Sequence, residues 1–155
     1  MSAQTIRAPR PTDRLVAHAV ALPTLLIIAE RDDVRSALAH TVRLYGVRQV
    51  QTAADAQASA LAARIIPDVI AISADHHPDK QVATIRDLRT NPITRHTPIV
   101  ARVAQPSQSI TDSLRAAGAD RVVVAPSENS TLINTIVRLS DVSRCRHSNR
   151  LLNLP

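Results

Sequence analysis

The densest collection of reactive groups in this 155-residue chain is the run Ser73, Asp75, His76, His77 and Asp79, with a second acidic cluster at Glu30, Asp32 and Asp33. Two carboxylates and two imidazoles so close together suggest a divalent cation. Adjacent histidines in a loop rarely point at one ion, however, and no His-x3-His pair on a helix backs them, so the loop is read as solvated and no metal is expected. Ser73 lacks the flanking glycines of a nucleophile elbow, which argues against a hydrolase of that kind. Loops that cradle phosphates need glycine for close backbone approach, and the only glycines, Gly46 and Gly118, each follow a helical stretch as its stop. Nucleotide cofactors are therefore not expected. Asp32 and Asp33 read as charges at a helix start rather than ligands.

The elements that must position these groups alternate along the chain. Short apolar runs at residues 24–28, 47–51, 68–73, 99–103 and 121–124 are separated by stretches with helical spacing, the pattern of a parallel sheet covered on both faces. The second run, with only Val47 and Val50 apolar among polar neighbours, suits an edge strand. Val34, Leu38, Val42 and Tyr45 recur at helical spacing, with Gly46 after them, and Tyr45 is expected in the core. Residues 54–64 are alanine-rich and end before Pro67; residues 81–89 present Val82, Ile85 and Leu88 and stop before Pro92. Residues 109–117 and 128–139 supply the last two helices.

Composition narrows the partners. Phe and Trp are absent and Tyr45 is the only aromatic residue, so Val, Ile, Leu and Ala must fill the core and little is left to stack on bases. The formal charge is +6, but residues 1–23 carry three arginines against Asp13, and residues 141–155 three against Asp141. The body between them, with the remaining thirteen basic and eleven acidic residues, shows no basic stripe for a phosphate backbone. Nucleic acid is not an expected partner. Residues 15–29 resemble a signal segment, but His18, Pro23 and Thr24 interrupt it and no cleavage site follows. Nothing has the length of a membrane span. Cys145 stands alone, which fits a reducing, cytoplasmic compartment.

Several stretches resemble the receiver domains of two-component response regulators. LLIIAERDDVR resembles the first strand and its acidic loop, PDVIAISADHHP the third strand and the loop after it, LRTNPITRHTPIVARVA the run into the fourth strand, and AGADRVVVAPSE the fifth strand and its loop. The resemblance implies a doubly wound α/β fold of five parallel strands in order 2-1-3-4-5, with helices on both faces and the site beyond the strands' carboxyl ends. It also implies where the phosphorylation chemistry belongs, and the residues there are wrong for it. The acidic pair that would hold Mg²⁺ falls on Ala29 and Glu30, and the phosphoacceptor falls on Ser73. The hydroxyl-bearing switch falls on Val103, its aromatic partner on Val122, and the bridging lysine on Ala125. Phosphoryl transfer depends on positioning and on neutralisation by metal and cation, so their joint loss implies a pseudo-receiver that does not accept phosphate.

The expected organisation is an N-terminal extension over residues 1–23, with a short helix over 12–22 or no fixed structure, a receiver-like domain over 24–140, and a basic tail over 141–155. Sixteen residues after Leu139 leave no room for a helix-turn-helix output unit. The expected function is therefore that of a non-enzymatic signalling adaptor, without cofactor, small-molecule substrate or membrane. The alternative is a working receiver using a displaced carboxylate such as Asp75. A protein partner or a second copy is expected on the fourth helix, fifth strand and fifth helix, where Asp112, Arg115, Arg121, Val123, Glu128 and Arg138 give a mixed-charge rim around an edge strand. The competing expectation has the tail from Asp141 covering that edge.

Overall fold

A computed structural model of the chain describes residues 23–47, 49–105, 107–125 and 129–152. Five strands and five helices alternate strictly: β1 (Thr24–Ile28), α1 (Asp32–Leu44), β2 (Gln49–Ala53), α2 (Asp55–Ile65), β3 (Val69–Ser73), α3 (Pro78–Thr90), β4 (Ile99–Val103), α4 (Gln108–Ala117), β5 (Arg121–Val124) and α5 (Asn129–Leu152). The strands form one parallel sheet in order β2-β1-β3-β4-β5, the doubly wound arrangement expected from the sequence.

Alternation along each strand builds two cores. Leu26, Ile28, Ile70, Ile72, Ile99 and Ala101 face α2, α3 and α4, which contribute Ala58, Ala62, Ile85, Leu88 and Leu114. Leu25, Ile27, Val69, Ala71 and Val100 face α1 and α5, which contribute Ala39, Val42, Leu132, Ile133 and Ile136. Small alanines on α2 let that helix lie close to the sheet without aromatic filler.

Four expectations need correction. Tyr45 is 55% exposed, because it caps α1 one residue beyond the last buried turn and points away from the core. The second strand starts at Gln49 instead of residue 47: Gly46 turns the chain at φ +94°, and Val47 N–H then donates to Val42 O, so Val47 is buried beneath α1. The last helix does not stop at Leu139. It continues to Leu152, since no Gly or Pro interrupts this stretch, and Ser140 and Ser143 extend its buried face. Finally, Val123 does not belong to an exposed rim around β5. Val122 and Val124 pack on the core under α4, while Val123 is buried on the core under α5.

At the amino end of the sheet one side chain ties three segments together. Arg89, near the end of α3, donates to Thr97 O at 2.7 Å, to Arg95 O at 3.0 Å, twice to Gly118 O at 2.8 and 3.0 Å, and to Asp120 Oδ2 at 2.9 Å. Asp120 in turn accepts from Ile99 N–H at 2.8 Å, which fixes the start of β4. Gly118 has φ +123°, and a Cβ there would lie 2.7 Å from the Arg89 side chain, so both conformation and space require glycine.

Candidate functional site

The parallel register brings the expected site residues to one end of the sheet. Ile28 pairs with Ile72, so the segments after β1 and β3 leave side by side, and Ser73 pairs with Arg102 on β4. Ala29 and Val103 are buried, Val122 and Ala125 are half-buried, and none can hold a metal or a phosphoryl group. A shallow depression forms between these segments, lined by Ala29, Glu30, Arg31, Val34, Ser73, Asp75, His76, His77 and Gln81.

The two carboxylates that line this depression, Asp75 and Glu30, are each held in an ion pair. Asp75 Oδ2 accepts from the Ser73 hydroxyl at 2.8 Å and is paired with the Arg102 guanidinium. The Asp75 side chain is only 10% exposed and Arg102 29%, so this pair is screened little by water. Asp75 Oδ1 is buried without a hydrogen-bond partner. Glu30 receives the Lys80 ammonium at 2.7 Å, and His77 Nε2 lies 3.8 Å from its other oxygen. The hydrogen bond from Lys80, followed by the charges of Lys80, His77 and His76, holds the Glu30 carboxyl below its ordinary range against the cost of its burial. The same hydrogen bond raises the Lys80 ammonium.

The two acidic residues that open α1 are paired locally. Asp33 pairs with Arg31 at 2.6 Å and Asp32 with Arg35 at 3.1 Å. Arg35 also donates to the carbonyls of Ala29 at 2.6 Å and Glu30 at 2.9 Å, which fixes the loop after β1. His76, His77 and Asp79 are exposed, and Asp75 is the member of that loop turned inward. Among the described residues no group of three or more His, Cys, Asp or Glu side chains is placed to hold a metal ion.

Arg102 and Lys80 were not anticipated as site residues. Arg102 carried a visible signal, a lone charge in the otherwise apolar strand IVARV. Lys80 carried none, because its role depends on how α3 leans over the loop after β1.

The expected interface residues lie on neighbouring elements. Asp112 and Arg115 are exposed on α4, Arg121 at the start of β5 and Arg138 on α5. Val123 is inside the core and cannot serve a rim, and Glu128 lies outside the described residues. No described helix is long and apolar enough to cross a membrane.

The sheet order and the two helical layers are those of the doubly wound, flavodoxin-like fold that receiver domains share. The solved structures it resembles include chemotaxis protein CheY4 of Vibrio cholerae, with TM-score 0.68 and 24% identity over 77% of this chain and 99% of that one. The receiver domain of a sensor histidine kinase from Pseudomonas aeruginosa, solved with magnesium in its active-site cleft, superposes with TM-score 0.66 and 18% identity over 78% and 99%. A Francisella response-regulator receiver domain gives 0.65 and 18% over 78% and 98%. No protein-family model and no curated protein sequence matches the chain. The likeness is therefore one of fold.

Proposed function

We propose that this protein is a phosphorylation-independent pseudo-receiver, a non-enzymatic cytoplasmic adaptor that signals through protein–protein contacts. The observation that carries this reading is the state of the carboxylates at the strand ends. The acceptor position is the buried hydroxyl of Ser73, and the nearest inward carboxylate, Asp75, is already neutralised by Arg102. Glu30 is committed to Lys80. A phosphoryl group entering the depression would meet two cations already paired and no lysine at Ala125, so the neutralisation that phosphoryl transfer needs is missing.

One atom favours a second reading. Asp75 Oδ1 has no hydrogen-bond partner, and a displaced acceptor would present such an oxygen. Acetyl phosphate, or beryllofluoride with Mg²⁺, separates the two. The adaptor reading expects no aspartyl-phosphate band on a phosphate-affinity gel and unchanged amide NMR shifts. A band lost in Asp75→Asn, or shifts clustered on Ser73 and Asp75, would establish the working receiver instead.

A partner or a second copy would use the surface of α4, β5 and α5, where Asp112, Arg115, Arg121 and Arg138 are exposed with both signs of charge. The outer edge of β5, which no strand among the described residues pairs, lies between them.

A further inference from the structure

A second polar contact beside the depression has a proton balance that an ionised carboxylate does not satisfy. Asp55, in the first turn of α2, accepts from Gln81 Nε2 of α3 at 2.8 Å through Oδ2. Gln81 is only 2% exposed. The remaining oxygens of the two groups, Asp55 Oδ1 and Gln81 Oε1, are both buried and both lack a hydrogen-bond donor. Two orphaned acceptors on bonded planar groups are both desolvated with no hydrogen bond to offset it. Rotating the amide does not help, since it would set Oε1 against a carboxylate oxygen. A proton on Oδ1 would turn one of the two orphaned acceptors into a donor, leaving Oε1 as an acceptor for it while Nε2–H still donates to Oδ2.

We propose that Asp55 is held as the neutral acid, joined to Gln81 by two opposed hydrogen bonds, and that this pair is a proton-operated latch between α2 and α3 which releases when Asp55 ionises.

The surroundings support the latch. Burial raises the Asp55 carboxyl above its ordinary value; the Gln81 hydrogen bond opposes this, and the negative charge of Glu30 adds to it. Lys80 on α3 and Arg35 on α1 face the same carboxyl and pull it down, but Lys80 is already bonded to Glu30 and Arg35 to Asp32 and the loop carbonyls. Ionisation of Asp55 would thus set it in competition with Glu30 for Lys80, so the latch is coupled to the rim of the depression. The sign follows from linkage. A carboxyl whose folded value lies above its unfolded one contributes stability that is complete below the unfolded value, about 3.9, and is lost as pH rises through the folded value.

The test is a carboxyl-detected ¹³C NMR titration of the full chain, with melting curves of wild type and Asp55→Asn at pH 4 and pH 7. The Asn amide keeps both bonds without a proton. The latch expects a midpoint for Asp55 Cγ above about 3.9. It also expects a melting-temperature difference between Asp55→Asn and wild type that grows in favour of the variant from pH 4 to pH 7. A midpoint at or below the ordinary value would overturn the proposal and assign the orphaned oxygens to bound water. If Asp55→Asn does not fold, the wild-type titration decides alone. None of these outcomes depends on whether the protein accepts phosphate.

Discussion

Replacing Arg102 by Met tests whether the depression is neutralised from within. The Arg102 side chain borders an apolar cavity with Ile27, Leu38, Val42, Leu132 and Ile136, so methionine keeps the packing of the stem and removes the charge. Breaking a fully buried ion pair from one side costs about 3–5 kcal/mol, because the partner charge stays desolvated. Arg102 is 29% exposed and Asp75 10%, which lowers the expected loss to about 2–3 kcal/mol. For a chain of this length each kcal/mol moves the melting temperature by about 3 °C, so Arg102→Met should melt about 6–9 °C lower. Asp75→Asn, which keeps a side-chain oxygen to accept from Ser73, should cost less, about 1–2 kcal/mol. The double variant should come close to the milder single one, giving a coupling energy of about 2–3 kcal/mol. Urea denaturation of the four proteins measures the cycle. Additive losses, or a loss below about 0.5 kcal/mol for Arg102→Met, would refute the pairing of Asp75 with Arg102 as the feature that closes the site.

Three further outcomes are expected. Millimolar Mg²⁺ should move the melting temperature by less than about a degree, since Glu30 and Asp75 are already paired; a rise of several degrees in a thermal scan would contradict this. Arg89→Lys should cost about 2–3 kcal/mol despite its unchanged charge, because a single ammonium cannot serve the carbonyls of Thr97 and Gly118 together with Asp120; chemical denaturation would show it, and near-neutral stability would refute the clamp. Arg115→Glu combined with Arg121→Glu should weaken self-association or capture of a protein partner, measured by light scattering and pull-down, while leaving the melting temperature within about 1–2 °C. A wild type that is monomeric and captures its partner as well as the variant does would remove the α4–β5–α5 surface as the interface.

The sequence was most readable where physical constraints are local. The buried strands, TLLII and VIAIS above all, carry continuous apolar runs that only a sheet covered on both faces can bury, and strict alternation with helices then implies parallel strands. Prolines and glycines stopped helices where they were expected to, at Pro67, Pro92 and Gly118. Reading failed where the outcome depends on what a residue meets. Tyr45 fits the helical period but falls beyond the last buried turn, and the end of α5 has no stop signal that a tail would need. The site shows the same division more sharply. That the side chains of Ala29 and Ala125 can neither ligate a metal nor pair with an anion follows from residue type alone. That Asp75 turns inward onto Arg102, and that Lys80 reaches Glu30 from fifty residues away, follows only from the register of β3 with β4 and the lean of α3. What a side chain can do is thus written in single positions, while what it pairs with is written in contacts between elements. A charge inside a buried strand, such as Arg102 in IVARV, is the one sequence feature that announces such a contact, because its desolvation must be repaid by an opposite charge nearby.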